Sequence, residues 1–266
     1  MLESNLITML EYLITALLIS LGINLLLFAF AFKLKTDKLT DFSYALSFIV
    51  VNIVALAKTG NYSLPNILMA SYITLWALRL GIYLVIRIKK WGRDRRFDAI
   101  RNNFTKFLQF WVFQAITVWV VSLAALQFYK LNELDKLGTL NIIGAAIFFT
   151  GLIVETTSDR QLFNFSNQKE NKGKFINQGL WKYSRHPNYL GEITVWAGIY
   201  IFTLSALSGT NSLIGAISPI FIFLMIRFVS GVPKLEKSAM TKWGKDTDYQ
   251  EYKKKTGLIL PFTISQ

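Results

Sequence analysis

The run GLWKYSRHPNYLGE, residues 179 to 192, places Arg185, His186, Asn188 and Glu192 just ahead of and inside an apolar stretch long enough to cross a bilayer. Pro187 is tolerated in a first helical turn, because the N–H it lacks would have no partner there. The spacing therefore predicts a helix starting at His186 or Pro187. Asn188 and Glu192 then share one face, a turn apart. At about 1.5 Å per residue, Glu192 lies roughly 8 Å past the helix start, inside a hydrocarbon layer about 30 Å thick. A carboxylate at that depth costs about 3 kcal/mol or more and must meet protein or water, which marks it as a candidate site residue. The alternative is an interfacial Glu wetted by headgroups.

Other ionisable groups enter apolar runs at similar depth. Glu155 and Asp159 stand at i and i+4 near the end of the fifth run, on one helical face. Arg79 lies within the third run and Arg227 at the end of the seventh. Acids and arginines converging on one leaflet would line a polar cavity open to the cytoplasm, which spares each of them exposure to lipid. Structural ion pairs holding helices together are the alternative, and need no ligand. The segment Trp91-Gly92-Arg93-Asp94-Arg95-Arg96-Phe97 suits either phosphate oxygens or anionic headgroups. His186 could shuttle a proton, contact a phosphate or simply cap the helix. Asp41, at the head of the second run, reads as an N-cap ahead of a proton donor. Phe110, Trp111 and Trp119 read as packing or interfacial anchors.

The elements that must position these groups are apolar helices. Hydrophobic residues are 53% of the 266. Runs at roughly 6 to 32, 42 to 57, 66 to 86, 107 to 129, 140 to 157, 188 to 207 and 212 to 229 each approach spanning length. The expected fold is all-α, a polytopic seven-transmembrane-helix bundle, with residues 1–266 forming a single integral membrane domain. The first run is too long for a cleaved signal peptide, and Glu3 and Glu11 stand where a basic segment would be required.

The net charge of +13 follows this topology, so nucleic acid is not indicated as a partner. Lys33, Lys35 and Lys38, the group from Arg87 to Lys106, that from Arg160 to Arg185, and the tail from Lys234 to Lys255 fall on one side. The alternate loops hold Lys58, Lys130 and Lys136. The N-terminus is therefore expected outside and the C-terminus in the cytoplasm. With no cysteine and one histidine, disulfides, thiolate chemistry and a protein-built transition-metal site are not expected. No G-x-G-x-x-G or P-loop is present, so a nucleotide would need separate basic groups for phosphates and Asn, Asp or Glu for ribose and amide. Both sets occur on the basic side.

From Glu155-Thr156-Thr157-Ser158-Asp159 through GLWKYSRHPNYLGEITVWAGIY to Asp248-Tyr249 and Pro261-Phe262, the chain resembles the C-terminal domain of the steroid 5-alpha-reductase family, and within it a bacterial membrane branch. The likeness is specific over roughly residues 140 to 262 and weaker before, where Arg79 and Tyr83 match an Arg-x-x-x-Tyr pair. It implies a bacterial inner-membrane reductase with NADPH bound in a cytoplasm-facing cavity of the C-terminal half. The substrate would be an apolar lipid, sterol-like or polyprenyl molecule. Carried over position by position, Arg79, Tyr83, Glu155, Asp159, Asn188, Glu192 and Arg227 would line the cofactor site; Arg185, His186 and Tyr189 of the same run are further candidates for cofactor binding.

Two departures bear on the substrate. Trp76 occupies the register of a substrate-protonating Tyr, and the second run lacks the family's Gln-Glu pair. Tyr44 and Tyr72 could donate a proton, but nothing selects either, so no catalytic acid is assigned. A similar Arg-His-Pro-x-Tyr-x-Gly helix start occurs in isoprenylcysteine and phospholipid methyltransferases, which use S-adenosylmethionine; their downstream Glu-Glu is here Glu236-Lys237. A third class is a non-enzymatic lipid-binding or channel-like protein whose inner-leaflet charges are structural only.

The charge asymmetry makes the orientation testable. A reporter fused after Gln266 should be active only in the cytoplasm, and one inserted near Lys58 or Gly209 only on the other side. Cytoplasmic signals at the latter two positions would sink the seven-span topology.

Overall fold

A computed structural model describes residues 2–92 and 97–261. The arginine-rich stretch 93–96 and Phe262, both singled out above, lie outside the described residues. The helices are α1 (Leu2–Lys33), α2 (Lys38–Thr59), α3 (Leu64–Trp91), α4 (Phe104–Leu131), α5 (Thr139–Asn167), α6 (Pro187–Thr203), α7 (Gly209–Leu224), α8 (Val232–Trp243) and α9 (Thr247–Lys255). Among the described residues the regular structure is helical, with an isolated parallel bridge between Ser184 and Gly257. The all-α, multispanning reading holds.

The expected count of seven spans does not carry over directly. Among the described residues, six helical stretches are long and apolar enough to cross a membrane: those of α1 to α5, and the stretch Gly209–Trp243. The missing one is α6, which ends at Thr203 after 17 residues. The sequence reading took it to 207. It stops because the amides of Ala206 and Leu207 both turn back to the Thr203 carbonyl, at 3.0 and 2.9 Å, ahead of Gly209 at φ 53°. At about 1.5 Å per residue, α6 is roughly 25 Å long, short of the usual span. After α7 the chain makes a π-helical turn over Met225–Val229, which carries Arg227.

The chain divides into two compact units. The first comprises residues 1–142 and 203–218. Its interior holds a polar layer built around Asn24 of α1. The amide donates to Ser20 O and Ser47 Oγ at 2.9 Å each, and its oxygen accepts from Gln114 Nε2 at 2.9 Å and from Ser43 Oγ at 3.3 Å. Buried amides away from water need such saturation, so this layer ties α1, α2 and α4 together without requiring a ligand.

At the head of α2 the sequence reading needs correction. Asp37, not Asp41, occupies the N-cap position, because the helix begins at Lys38, about one turn earlier than the apolar run suggests. The buried Asp37 carboxylate accepts from Arg101 Nη1 at 2.9 Å, while Asp41 pairs with Arg87 at 3.5 Å. Trp111 is fully buried with Phe28, Phe97 and Phe107, and Trp119 Nε1 donates to Leu13 O at 2.9 Å, so both serve packing.

The second unit comprises residues 143–202 and 219–266. Its α5 and α6 touch backbone to backbone at glycines. A Cβ on Gly151 would lie 2.6 Å from Val195 N, and one on Gly191 2.5 Å from Glu155 N. Gly144 meets Phe202, and Gly198 meets Phe148, in the same way. Small residues that let helices approach this closely are the usual basis of association in lipid, where apolar side chains gain nothing over the lipid itself.

Adding a methyl at Gly191 would push backbone against backbone, and overpacking of this kind costs about 1–3 kcal/mol. Gly191→Ala should lower the melting temperature in detergent by several degrees. Gly22→Ala, where a Cβ meets nothing within 4 Å, should not. Equal melting temperatures for both variants would refute the close contact.

Candidate functional site

The segment leading into α6 is fastened on two sides. Towards α5, Leu180 N donates to Gln161 Oε1 at 2.9 Å and Trp181 Nε1 to Ser158 O at 3.0 Å. Gly179 makes the turn at φ 60°, where any Cβ would also strike the Gln161 amide. Towards the tail, Arg185 N donates to Gly257 O at 2.9 Å, Ser184 Oγ to Ile259 O at 2.7 Å, and Tyr252 OH to Trp181 O at 2.6 Å. Phe175 packs on Trp243, Tyr249 and Tyr252 with ring centroids 5.1 to 6.0 Å apart, closing the loop against α8 and α9.

From this anchored segment α6 begins at Pro187, as its spacing predicts. The His186 carbonyl accepts from Tyr189 N and Leu190 N at 3.1 and 3.2 Å. The His186 side chain does not cap. Its Nε2 lies 2.9 Å from Glu236 Oε1, and Arg185 Nη1 donates to the other oxygen of the same carboxylate at 2.8 Å. The Tyr189 ring stacks on that imidazole at 5.7 Å, and its edge is close to Gly231, where a Cβ would sit 3.0 Å away.

In the same first turn, Asn188 Nδ2 donates to Asp159 Oδ1 at 3.3 Å. Asp159 is 5% exposed and Glu155 3% exposed, with Glu155 lying against Gly191. The glycine contact thus sets both acids beside the first turn of α6. Glu192, half-buried, follows Asn188 by one turn. Arg227 sits over the Phe228 ring at 4.9 Å. In the first unit, Arg79 and Arg87 flank the ring of Tyr83 at 5.7 and 5.8 Å. Of the residues expected to bind the cofactor, Glu155, Asp159, Arg185, His186, Asn188 and Tyr189 therefore share one neighbourhood.

Glu236 was not among the expected site residues. Sequence reading met it only as the first half of a failed Glu-Glu pair; the available signal was a single acid inside a lysine-rich helix, Lys234 to Lys242.

Three buried polar atoms here have no protein partner: Arg185 Nε, His186 Nδ1 and Asn188 Oδ1. An orphaned buried donor or acceptor costs about 1–3 kcal/mol. Three within four residues are therefore an expensive arrangement for a purely structural loop. They offer a guanidinium donor, an imidazole nitrogen and an amide oxygen, a set that fits a nucleotide's phosphate and hydroxyl groups.

The family model described as "Protein of unknown function (DUF1295)" matches residues 27–256. The chain belongs to this family. DUF1295 similarity extends to curated proteins of two kinds. The chain is 36% identical over 66 residues to the steroid 5-alpha-reductase DET2 of Arabidopsis thaliana, covering 24% of each chain. It is 26% identical over 121 residues to the human 3-oxo-5-alpha-steroid 4-dehydrogenase 1, covering 46% of this chain and 41% of that one. It is also 32% identical over 95 residues to the protein-S-isoprenylcysteine O-methyltransferase of Saccharomyces cerevisiae, covering 36% of each. The matches thus span between 24% and 41% of the length of these relatives. No solved structure matches the chain.

Burial pushes the Tyr252 hydroxyl above its ordinary range, and burial followed by the nearby Glu236 charge does the same for Tyr249. A hydroxyl that ionises less readily when folded stabilises the fold below its unfolded value, about 10, and that contribution is lost as pH rises past it. Tyr252→Phe, which also deletes the bond to Trp181 O, should lower stability near neutral pH by about 1 kcal/mol. Melting curves should show this gap closing above about pH 10; a gap that stays constant to strongly alkaline pH would refute the role of the hydroxyl.

Proposed function

We propose that the protein is a membrane-embedded reductase that uses NADPH to reduce a C=C bond of an apolar lipid, sterol-like or polyprenyl substrate entering from the bilayer. The observation that carries this reading is the orphaned Asn188 oxygen and the buried Glu155 and Asp159, at positions the reductase resemblance assigns to cofactor binding, beside the orphaned atoms of Arg185 and His186. The names of two relatives, a steroid 5-alpha-reductase and a 3-oxo-5-alpha-steroid 4-dehydrogenase, support the same class.

In this reading residues 140–262 form the cofactor-binding part of a single membrane domain. α6 is a seventh, short crossing, and the C-terminus lies in the cytoplasm of a bacterial cell. NADPH, when bound, supplies a hydride. Arg185 and His186 would hold its phosphates, while Glu155, Asp159, Asn188 and Glu192 would take its ribose and carboxamide. Tyr189 and Arg227 would complete its enclosure in the second unit, while Arg79 and Tyr83 are assigned to the cofactor by the reductase resemblance alone. Holding these groups on helices already locked by glycine contacts keeps them oriented, and burying them keeps water from the reacting end. The proton donor is not assigned.

A second reading, an S-adenosylmethionine-dependent methyltransferase, is favoured by Arg185-His186-Pro187-Asn188-Tyr189-Leu190-Gly191 and by the similarity to the yeast methyltransferase.

Equilibrium binding of NADPH and of S-adenosylmethionine to detergent-purified protein separates the two readings. NADPH should bind, with Asn188→Ala and Glu192→Gln each weakening it roughly ten- to hundredfold, as loss of one buried bond of about 1–3 kcal/mol implies. Glu192→Gln should keep or slightly raise the ligand-free melting temperature. Binding of S-adenosylmethionine alone would establish the rival, and a large stability loss with unchanged NADPH affinity would mark Glu192 as structural.

A further inference from the structure

We infer that Glu236 is a positioning residue for this site: its carboxylate fixes Arg185 and His186 so that Arg185 Nε and His186 Nδ1 together meet a phosphate group. The inference rests on reading the α6 start as the cofactor site and adds to it a residue from α8.

The geometry divides each side chain into a used and an unused half. A carboxylate can only accept, so His186 Nε2, 2.9 Å from Glu236 Oε1, carries its proton whether or not the ring is charged. Nδ1 is left as the nitrogen that gains or loses a proton. It is buried, His186 being 5% exposed, and has no partner. Arg185 is divided alike: Nη1 is spent on Glu236 Oε2 at 2.8 Å, and Nε is buried without a partner. The backbone of both residues is pinned independently, through Arg185 N to Gly257 O and His186 N to Ser184 Oγ. What Glu236 contributes is the pose of the two side chains. A purely structural ion pair would leave no such remainder on two successive residues.

The unused atoms define a chemistry. Arg185 Nε–H is a fixed donor; Nδ1 becomes a second when the ring takes up a proton, and the Glu236 carboxylate behind the ring balances the charge gained. Two donors on successive residues match an anionic phosphate oxygen pair. The charged and titratable groups around His186 are Arg185 beside it, Tyr189 stacked on it from α6, Glu236 from α8, and Tyr249, Tyr252 and Lys253 from α9, whose charges couple to Glu236 and Arg185. Asp159 of α5 joins through Asn188. Among the groups in direct side-chain contact with the imidazole, Glu236 supplies the negative charge.

His186 is the single histidine of the chain, so imidazole ¹⁵N spectra of histidine-labelled protein report on it without ambiguity. In mildly alkaline buffer, ligand-free protein should show a protonated Nε2, bound to Glu236, and an unprotonated Nδ1. NADPH should convert Nδ1 to the protonated type. Glu236→Ala should give mixed tautomers and weaken NADPH by about tenfold or more. Glu236→Gln, which keeps an acceptor for Nε2–H but not the charge, should hold the tautomer and lose the ligand-induced protonation. Glu236→Asp should restore part of it. A bound NADPH that leaves Nδ1 unmoved, or a folded Glu236→Ala with unchanged tautomer and affinity, overturns the inference. Should S-adenosylmethionine bind and NADPH not, the cofactor reading falls; inorganic pyrophosphate then decides here, with protonation of Nδ1 upholding the role of Glu236 and its absence overturning it.

Discussion

The contact on which the second unit depends is the direct apposition of α5 and α6 backbones at Gly144, Gly151, Gly191 and Gly198. On each helix the notches are seven residues apart, about two turns, so they fall on one stripe. Antiparallel pairing then runs in a single register from Gly144 against Phe202, through Gly151 against Val195, to Glu155 against Gly191. Asp159 opposite Asn188 is the next step of that ladder. A slip of one turn would carry the two buried acids away from the polar end of α6 and leave them against apolar side chains, at the cost of an uncompensated buried charge. The polar pairing and the glycine pairing therefore select the same alignment.

Around this rigid pair the remaining elements converge on a few backbone atoms and two side chains. The loop before α6 is held to α5 through Gln161 and Ser158 and to the tail through Gly257 and Ile259, so its main chain has little freedom left. Against that saturated backbone the orphaned atoms of Arg185, His186 and Asn188 stand out. The polar layer around Asn24 in the first unit shows the opposite arrangement. Its buried Asn24, Ser43, Ser47 and Gln114 hydrogen-bond to one another and to the main chain, and the layer reads as a structural tie. Saturation in one place and remainder in another is the physical distinction between polar groups kept for folding and polar groups kept for a ligand.

Much of this was legible in the chain. Apolar run length gave the helices, Pro187 gave the start of α6, and the i, i+4 spacing put Glu155 with Asp159 on a face that is indeed buried. The failures share a cause. The length of α6 is set by two amides folding back on Thr203, and the true cap of α2 by a buried pair with Arg101, neither of which hydrophobic periodicity encodes. The glycine stripe was visible as letters, but only a partner helix gives it meaning. Glu236 was missed because its two partners lie 50 and 51 residues upstream. A lysine-rich amphipathic helix offers no local reason to single out its one acid.

That separation also orders the birth of the molecule. Ser184 and the Ile259 carbonyl that receives its hydroxyl are 75 residues apart. At about 5–20 residues per second a ribosome needs roughly 4–15 s to traverse that interval. Within it α6 is completed while the segment ahead of it still awaits Glu236, Tyr252 and Gly257. Until then the Arg185 and His186 side chains are without the carboxylate that holds them, and their arrangement is complete only near the end of translation.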